Sequence, residues 1–105
     1  TDHGTVNVHR PSKVVGTKHL TTNLRYKTGN GMSYQSKNSF VVKDPNAIGL
    51  PKQHIADECI FALSDLFYVY PNRYNHFVQY YRNTYQHGGV SLEELIIPYA
   101  VLTAK

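Results

Sequence analysis

A chain of 105 residues with a single cysteine is long enough for one small domain and cannot form an internal disulfide, which suits a reducing, cytoplasmic compartment. Eleven Lys and Arg against seven Asp and Glu leave a net charge of +4, yet the basic residues are scattered with no run of three, unlike the dense stripe of a dedicated nucleic-acid binder. The longest nearly unbroken apolar run, Leu95 to Leu102, is interrupted by Pro98 and Tyr99 and falls far short of the roughly 20 residues a membrane helix needs.

The chain opens on Thr1-Asp2-His3-Gly4, which reads as a functional loop. Such loops follow a strand, so a piece of a larger polypeptide is expected. Thr5 to His9 alternates apolar and polar residues and predicts a short strand ended by Pro11, with Lys13 to Gly16 as a further extended piece. From Thr17 to Ser39 the composition is that of a long irregular connection, with a turn at Gly29-Asn30-Gly31 and a helical turn within Asn23 to Lys27. Phe40 to Lys43 predicts a strand stopped by Asp44-Pro45, and Asn46 to Gln53 a connection.

Cys59 to Leu63 and Phe67 to Tyr70 are β-prone runs around Ser64-Asp65-Leu66, the pattern of a hairpin. Tyr74, Phe77, Val78, Tyr81 and Tyr85 recur at helical spacing, predicting about three turns of amphipathic helix buried on the aromatic side. A tyrosine stripe can also stack nucleic-acid bases, but core packing accounts for it with less. Ser91-Leu92-Glu93-Glu94 fits a capping box, with the Glu94 carboxylate reaching back to the N-cap. Pro98 stops a continued helix, and Tyr99 to Leu102 predicts a final buried strand.

Chemistry concentrates in two short stretches near opposite ends. Asp2-His3-Gly4 pairs a hard oxygen donor with a borderline nitrogen, a set suited to zinc or manganese. Gly4 removes a side chain where the backbone must turn close to an ion or phosphate. Gln86-His87-Gly88-Gly89 places a second imidazole before a flexible pair. Arg25 and Lys27 are candidate contacts to substrate phosphates, against the plainer reading of solvated surface charge. Cys59 lies in a strand pattern as a small buried apolar residue. His9, His19, His54 and His76 have no ligand at metal-binding spacing and are taken as structural. Glu93 and Glu94 fall in a first helical turn, where capping and dipole compensation explain them better than paired catalysis.

Thr1-Asp2-His3-Gly4-Thr5, Thr21 to Lys27 and above all Tyr85 to Pro98 resemble the C-terminal part of PglZ domains of the alkaline phosphatase superfamily. In particular they are similar to the output domain of PorX-type response regulators of the type IX secretion system. The resemblance covers residues 1–105 and implies an α/β parent fold, a mixed sheet between helices. This chain would be a C-terminal fragment of it, α+β and β-rich taken alone.

The resemblance also implies a two-metal centre, with zinc as cofactor and manganese as the alternative. Asp2 and His3 would ligate one ion and His87 its neighbour. The family's Thr or Ser nucleophile and its remaining ligands cannot be mapped here, since Thr1 and Thr5 do not match the nucleophile position. The isolated chain is therefore expected to be inactive and to bind metal weakly.

Two functions from different classes follow. The first is a metal-dependent phosphodiesterase or phosphatase-like domain of a two-component response regulator, acting on a phosphoester such as a nucleotide or oligonucleotide. The second is a non-catalytic signalling output that contacts protein or DNA. In either case the partners expected are the remainder of the parent domain and a second copy paired through exposed sheet edges, with no membrane.

Overall fold

The computed structural model describes residues 1–16, 22–51 and 55–105; His19, Thr21, Gln53 and His54, with the readings made of them, lie outside these. Within the described residues the elements are β1 (Val6–Asn7), β2 (Arg10–Lys13), β3 (Tyr26–Gly29), β4 (Ser39–Val42), a 3-10 turn (Pro45–Ile48), β5 (Glu58–Ala62), β6 (Leu66–Val69), α1 (Tyr74–Tyr81), β7 (Tyr85–Gln86) and α2 (Leu92–Leu95). Strand outweighs helix, as the β-rich expectation requires. No helix among these residues is long and apolar enough to cross a membrane.

β6 organises the packing. All four of its residues are buried, and they alternate between two cores. Phe67 and Val69 join Val6, Val8 and Val78, with Leu24, Tyr74, Phe77 and Tyr81 packed on the outside. Leu66 and Tyr68 join Val14, Ile60 and Ala62, flanked by Met32, Tyr34, Val41 and Tyr70. A strand covered on both faces is apolar throughout, and Leu66-Phe67-Tyr68-Val69 is such a run.

The expected hairpin is corrected. β5 and β6 are both strands, but they do not pair with each other. β5 lies between β3 and β4, antiparallel to both, whereas β6 pairs in parallel with β2. Ser64, at φ 55°, turns the chain between the two cores instead of folding it back in register. β2 also runs through Pro11 where a stop was expected. Its strand partner is on one side only, the setting in which a residue without an N–H is tolerated.

The segment read as irregular contains β3. The helical turn expected at Asn23 is replaced because Asn23 Oδ1 accepts the N–H groups of Arg25 at 2.7 Å and Tyr26 at 3.2 Å. That side-chain turn leads straight into a strand. α1 is shorter than the periodicity suggested: Asn83 adopts φ 66° and breaks it, so Tyr85 falls in β7 and is 70% exposed. Finally, Tyr99, Val101 and Leu102 form no strand and are exposed, so the expected buried strand is corrected.

These burials set a measurable contrast within one helix. Val78 is 7% exposed and Tyr80 67%. Val78→Ala should cost about 2 kcal/mol of unfolding free energy and Tyr80→Ala no more than about 0.5 kcal/mol, by urea denaturation.

Candidate metal centre

The two motif-bearing stretches meet. β1 pairs antiparallel with β7, Val6 opposite Gln86 and Asn7 opposite Tyr85, so the residues leading into β1 face those following β7. The rings of His3 and His87 stack with centroids 4.0 Å apart and planes within 20°. The His3 Nδ1 lies 2.8 Å from the Gly4 carbonyl oxygen. A carbonyl only accepts, so Nδ1 carries a proton, and the other ring nitrogen is Nε2. That nitrogen sits 3.5 Å from Asp2 Oδ1.

The opening loop is anchored by its glycine. Gly4 N–H donates to the Glu94 carbonyl oxygen at 2.9 Å, and a Cβ on Gly4 would collide with the backbone carbonyl of Glu93. Here a missing side chain lets the loop lie against α2. The loop after β7 is held by the Glu94 side chain. Oε1 accepts the Gly89 N–H at 2.9 Å, and Oε2 accepts the N–H and the hydroxyl of Ser91 at 2.9 and 2.8 Å. The capping box expected of Ser91 and Glu94 is present.

Sequence reasoning missed the other partner of that carboxylate. Arg25 donates from Nε to Glu94 Oε1 at 2.7 Å and from an NH2 nitrogen to Oε2 at 2.8 Å. Two further donors go to the carbonyls of Leu66 and Ala62. Arg25 is 0% exposed and Glu94 3%. Burial alone would raise the Glu94 pKa, but the Arg25, Ser91 and Gly89 bonds outweigh it and hold it down at about 2.

This corrects both readings of Arg25, since its guanidinium faces neither solvent nor an open substrate position. The available signal was chemical: a buried Arg requires a carboxylate, and a capping Glu has lone pairs to spare beyond its helix.

Lys27 is also not a surface charge. It is 1% exposed, with its ammonium 4.3 Å from the centre of the Tyr70 ring, and burial pushes its pKa down to about 8. Cys59 is buried as expected, which raises its thiol pKa. His9 and His76 are exposed, His76 lying edge-on to Phe77.

Asp2, His3 and His87 thus offer one carboxylate and two imidazoles at an accessible edge, with the Asp2 side chain 91% and the His3 side chain 40% exposed. The 3.5 Å between Asp2 Oδ1 and His3 Nε2 is close to the edge of a tetrahedron whose zinc bonds are roughly 2.0–2.1 Å. The Nδ1–H to carbonyl bond is the support that orients metal-binding histidines. Among the described residues no group of three or more His, Cys, Asp or Glu gathers around one point. Asp2, His3 and His87 therefore do not by themselves form a closed site.

The family model of the BREX system PglZ alkaline phosphatase-like domain matches residues 1–103. No curated protein matches the chain.

Two outcomes test the brace behind this centre. Glu94 is held at about 2 against an ordinary 4.5, so its contribution is complete above pH 4.5 and disappears as pH falls toward 2. This should amount to about 3 kcal/mol, read from urea denaturation at stepped pH, and Glu94→Gln should flatten that dependence. Gly89→Ala would drive a Cβ to 2.6 Å from the Ala62 carbonyl oxygen and 2.7 Å from the Arg25 guanidinium. It should destabilise the fold by about 2 kcal/mol or more, measured the same way.

Proposed function

Because the chain belongs to the PglZ family of alkaline phosphatase-like domains, we propose that Asp2, His3 and His87 are ligands of a two-ion centre that hydrolyses phosphoesters. The observation that carries this is the stacking of His3 on His87 at 4.0 Å. It brings imidazoles from opposite ends of the sequence into ring contact, a proximity that a pair of ions about 3.5–4 Å apart would require. Zinc fits the oxygen and nitrogen donors best, with manganese the alternative. When bound, such ions polarise a phosphoryl oxygen and neutralise charge on the attacking and leaving oxygens.

The chain's own contribution is orientation. Gly4 carbonyl orients the His3 ring, Glu94 holds the loop carrying His87, and Asp2 supplies a carboxylate that offsets the charge of a cation. No residue of this chain is assigned as the nucleophile, so the chain by itself should not turn over substrate. Leu92, Leu95, Ile96 and Tyr99 are exposed apolar side chains beside this centre's supporting helix. We read them as the surface on which the remainder of the domain packs, bringing the nucleophile and the missing ligands. The substrate class we assign is a phosphodiester such as a nucleotide or oligonucleotide. We read the domain as a cytoplasmic output module of a two-component response regulator, on the likeness of residues 85–98 to that group.

The test uses the full-length protein that contains this segment. Metal analysis should find bound zinc, and a chelator should abolish cleavage of bis-p-nitrophenyl phosphate. Asp2→Ala and His87→Ala should each lower kcat/KM by roughly a hundredfold or more. Turnover indifferent to chelator and to both substitutions would refute the centre. Absent turnover with partner binding intact in both variants would favour the non-catalytic output.

A further inference from the structure

Basic residues that lie scattered in the sequence are gathered along α1 by the fold. β2 is tied to the helix at both ends. Lys13 Nζ lies 5.0 Å from the centre of the Tyr74 ring, and Arg82 Nε, just past the last turn, donates to the His9 carbonyl oxygen at 3.3 Å. Arg73, the residue before the first turn, holds its guanidinium 5.8 Å from the Phe77 ring. All three cations are exposed, and none of them forms an ion pair among the described residues. The reason is in the chain: no Asp or Glu occurs between Asp2 and Asp44 or between Asp65 and Glu93. Asp65 itself is engaged by Arg10 at 2.5 Å.

The helix is charged against its own dipole. A helix N-terminus favours carboxylates, yet α1 has none in its first turn and begins after Arg73, held at φ 54°. A local rule broken in this way points to a use outside the fold. The surface between the cations is aromatic. Tyr80 is 67% exposed, its ring 6.4 Å from that of His76 with planes within 20°. Tyr81, packed on the core, backs Tyr80 edge-on at 4.9 Å. Cations alone suit any polyanion. Exposed rings among them favour one with unpaired bases, whose faces a duplex keeps within its own stack.

We propose that this belt binds single-stranded nucleic acid, with Lys13, Arg73 and Arg82 meeting backbone phosphates and Tyr80 and His76 stacking on bases. The belt shares no residue with the histidine centre and would stand if that centre binds no metal.

Fluorescence anisotropy on the full-length protein tests it, with a labelled oligothymidylate of about ten nucleotides as the probe. EDTA is present throughout, so cleavage at a metal centre does not enter the reading. Three phosphate contacts on a single strand predict a slope of log affinity against log salt of about −2, a loss of roughly twentyfold between about 50 and 200 mM. Replacing Lys13, Arg73 and Arg82 together by Gln should remove that part of the slope, and each single replacement about 0.7 of it. Tyr80→Ala, at an exposed position, should weaken binding about fivefold or more and leave the slope unchanged. An unaltered slope in the triple variant, undiminished affinity in Tyr80→Ala, or a duplex of the same length bound as tightly would each overturn the assignment. So would poly-glutamate displacing the probe at equal affinity, the behaviour of a surface for acidic proteins. Should the triple variant fail to fold, the single replacements and Tyr80→Ala still decide.

Discussion

The buried ion pair of Arg25 and Glu94 is the interaction on which the arrangement rests. Neither side chain reaches solvent, and the guanidinium meets the carboxylate through two parallel bonds. The same pair touches every segment that matters to the centre. Arg25 holds the carbonyls of Ala62 and Leu66, on either side of the β5–β6 turn. Glu94 holds Gly89 and Ser91 through its side chain and Gly4 through its backbone carbonyl. A buried pair is weak evidence of net stabilisation, because desolvation offsets much of the attraction. What it does here is tie the His87 loop, through Gly89 and Ser91, to the Arg25 segment and the β5–β6 turn.

That placement brings His3 onto His87. The β1–β7 ladder supplies the register, Gly4 and Gly89 supply close approach, and the ion pair locks the loops against each other. Each device acts on backbone rather than on the donor side chains themselves. The Asp2 carboxylate and the imidazoles are left at an accessible edge, positioned from behind.

Local features were legible in the sequence in proportion to how local their causes are. The Ser91–Glu94 capping box depends on four consecutive residues, and it is present. β5 and β6 were recognisable from their apolar runs, but their partners were not. Pairing is decided by which face meets which core, and β6 serves two cores at once. The helix was overextended to Tyr85 because periodicity cannot see Asn83 take a left-handed turn. The last expected strand depends on a neighbour to pair with, which an apolar run cannot specify. Of the site residues, Asp2, His3 and His87 stood out by composition and resemblance. For Arg25 and Lys27 the sequence suggests phosphate contacts or solvated surface charge, because charge alone does not report burial. Their partners, Glu94 and Tyr70, lie far away in sequence.

The ladder joining Val6 to Gln86 closes a loop that contains about three quarters of the described chain. Closure entropy over such a span is incurred before any reward from the contact, so this ladder should zip up late, after the two cores around β6 have condensed. The imidazoles would then come together only at the final stage of folding.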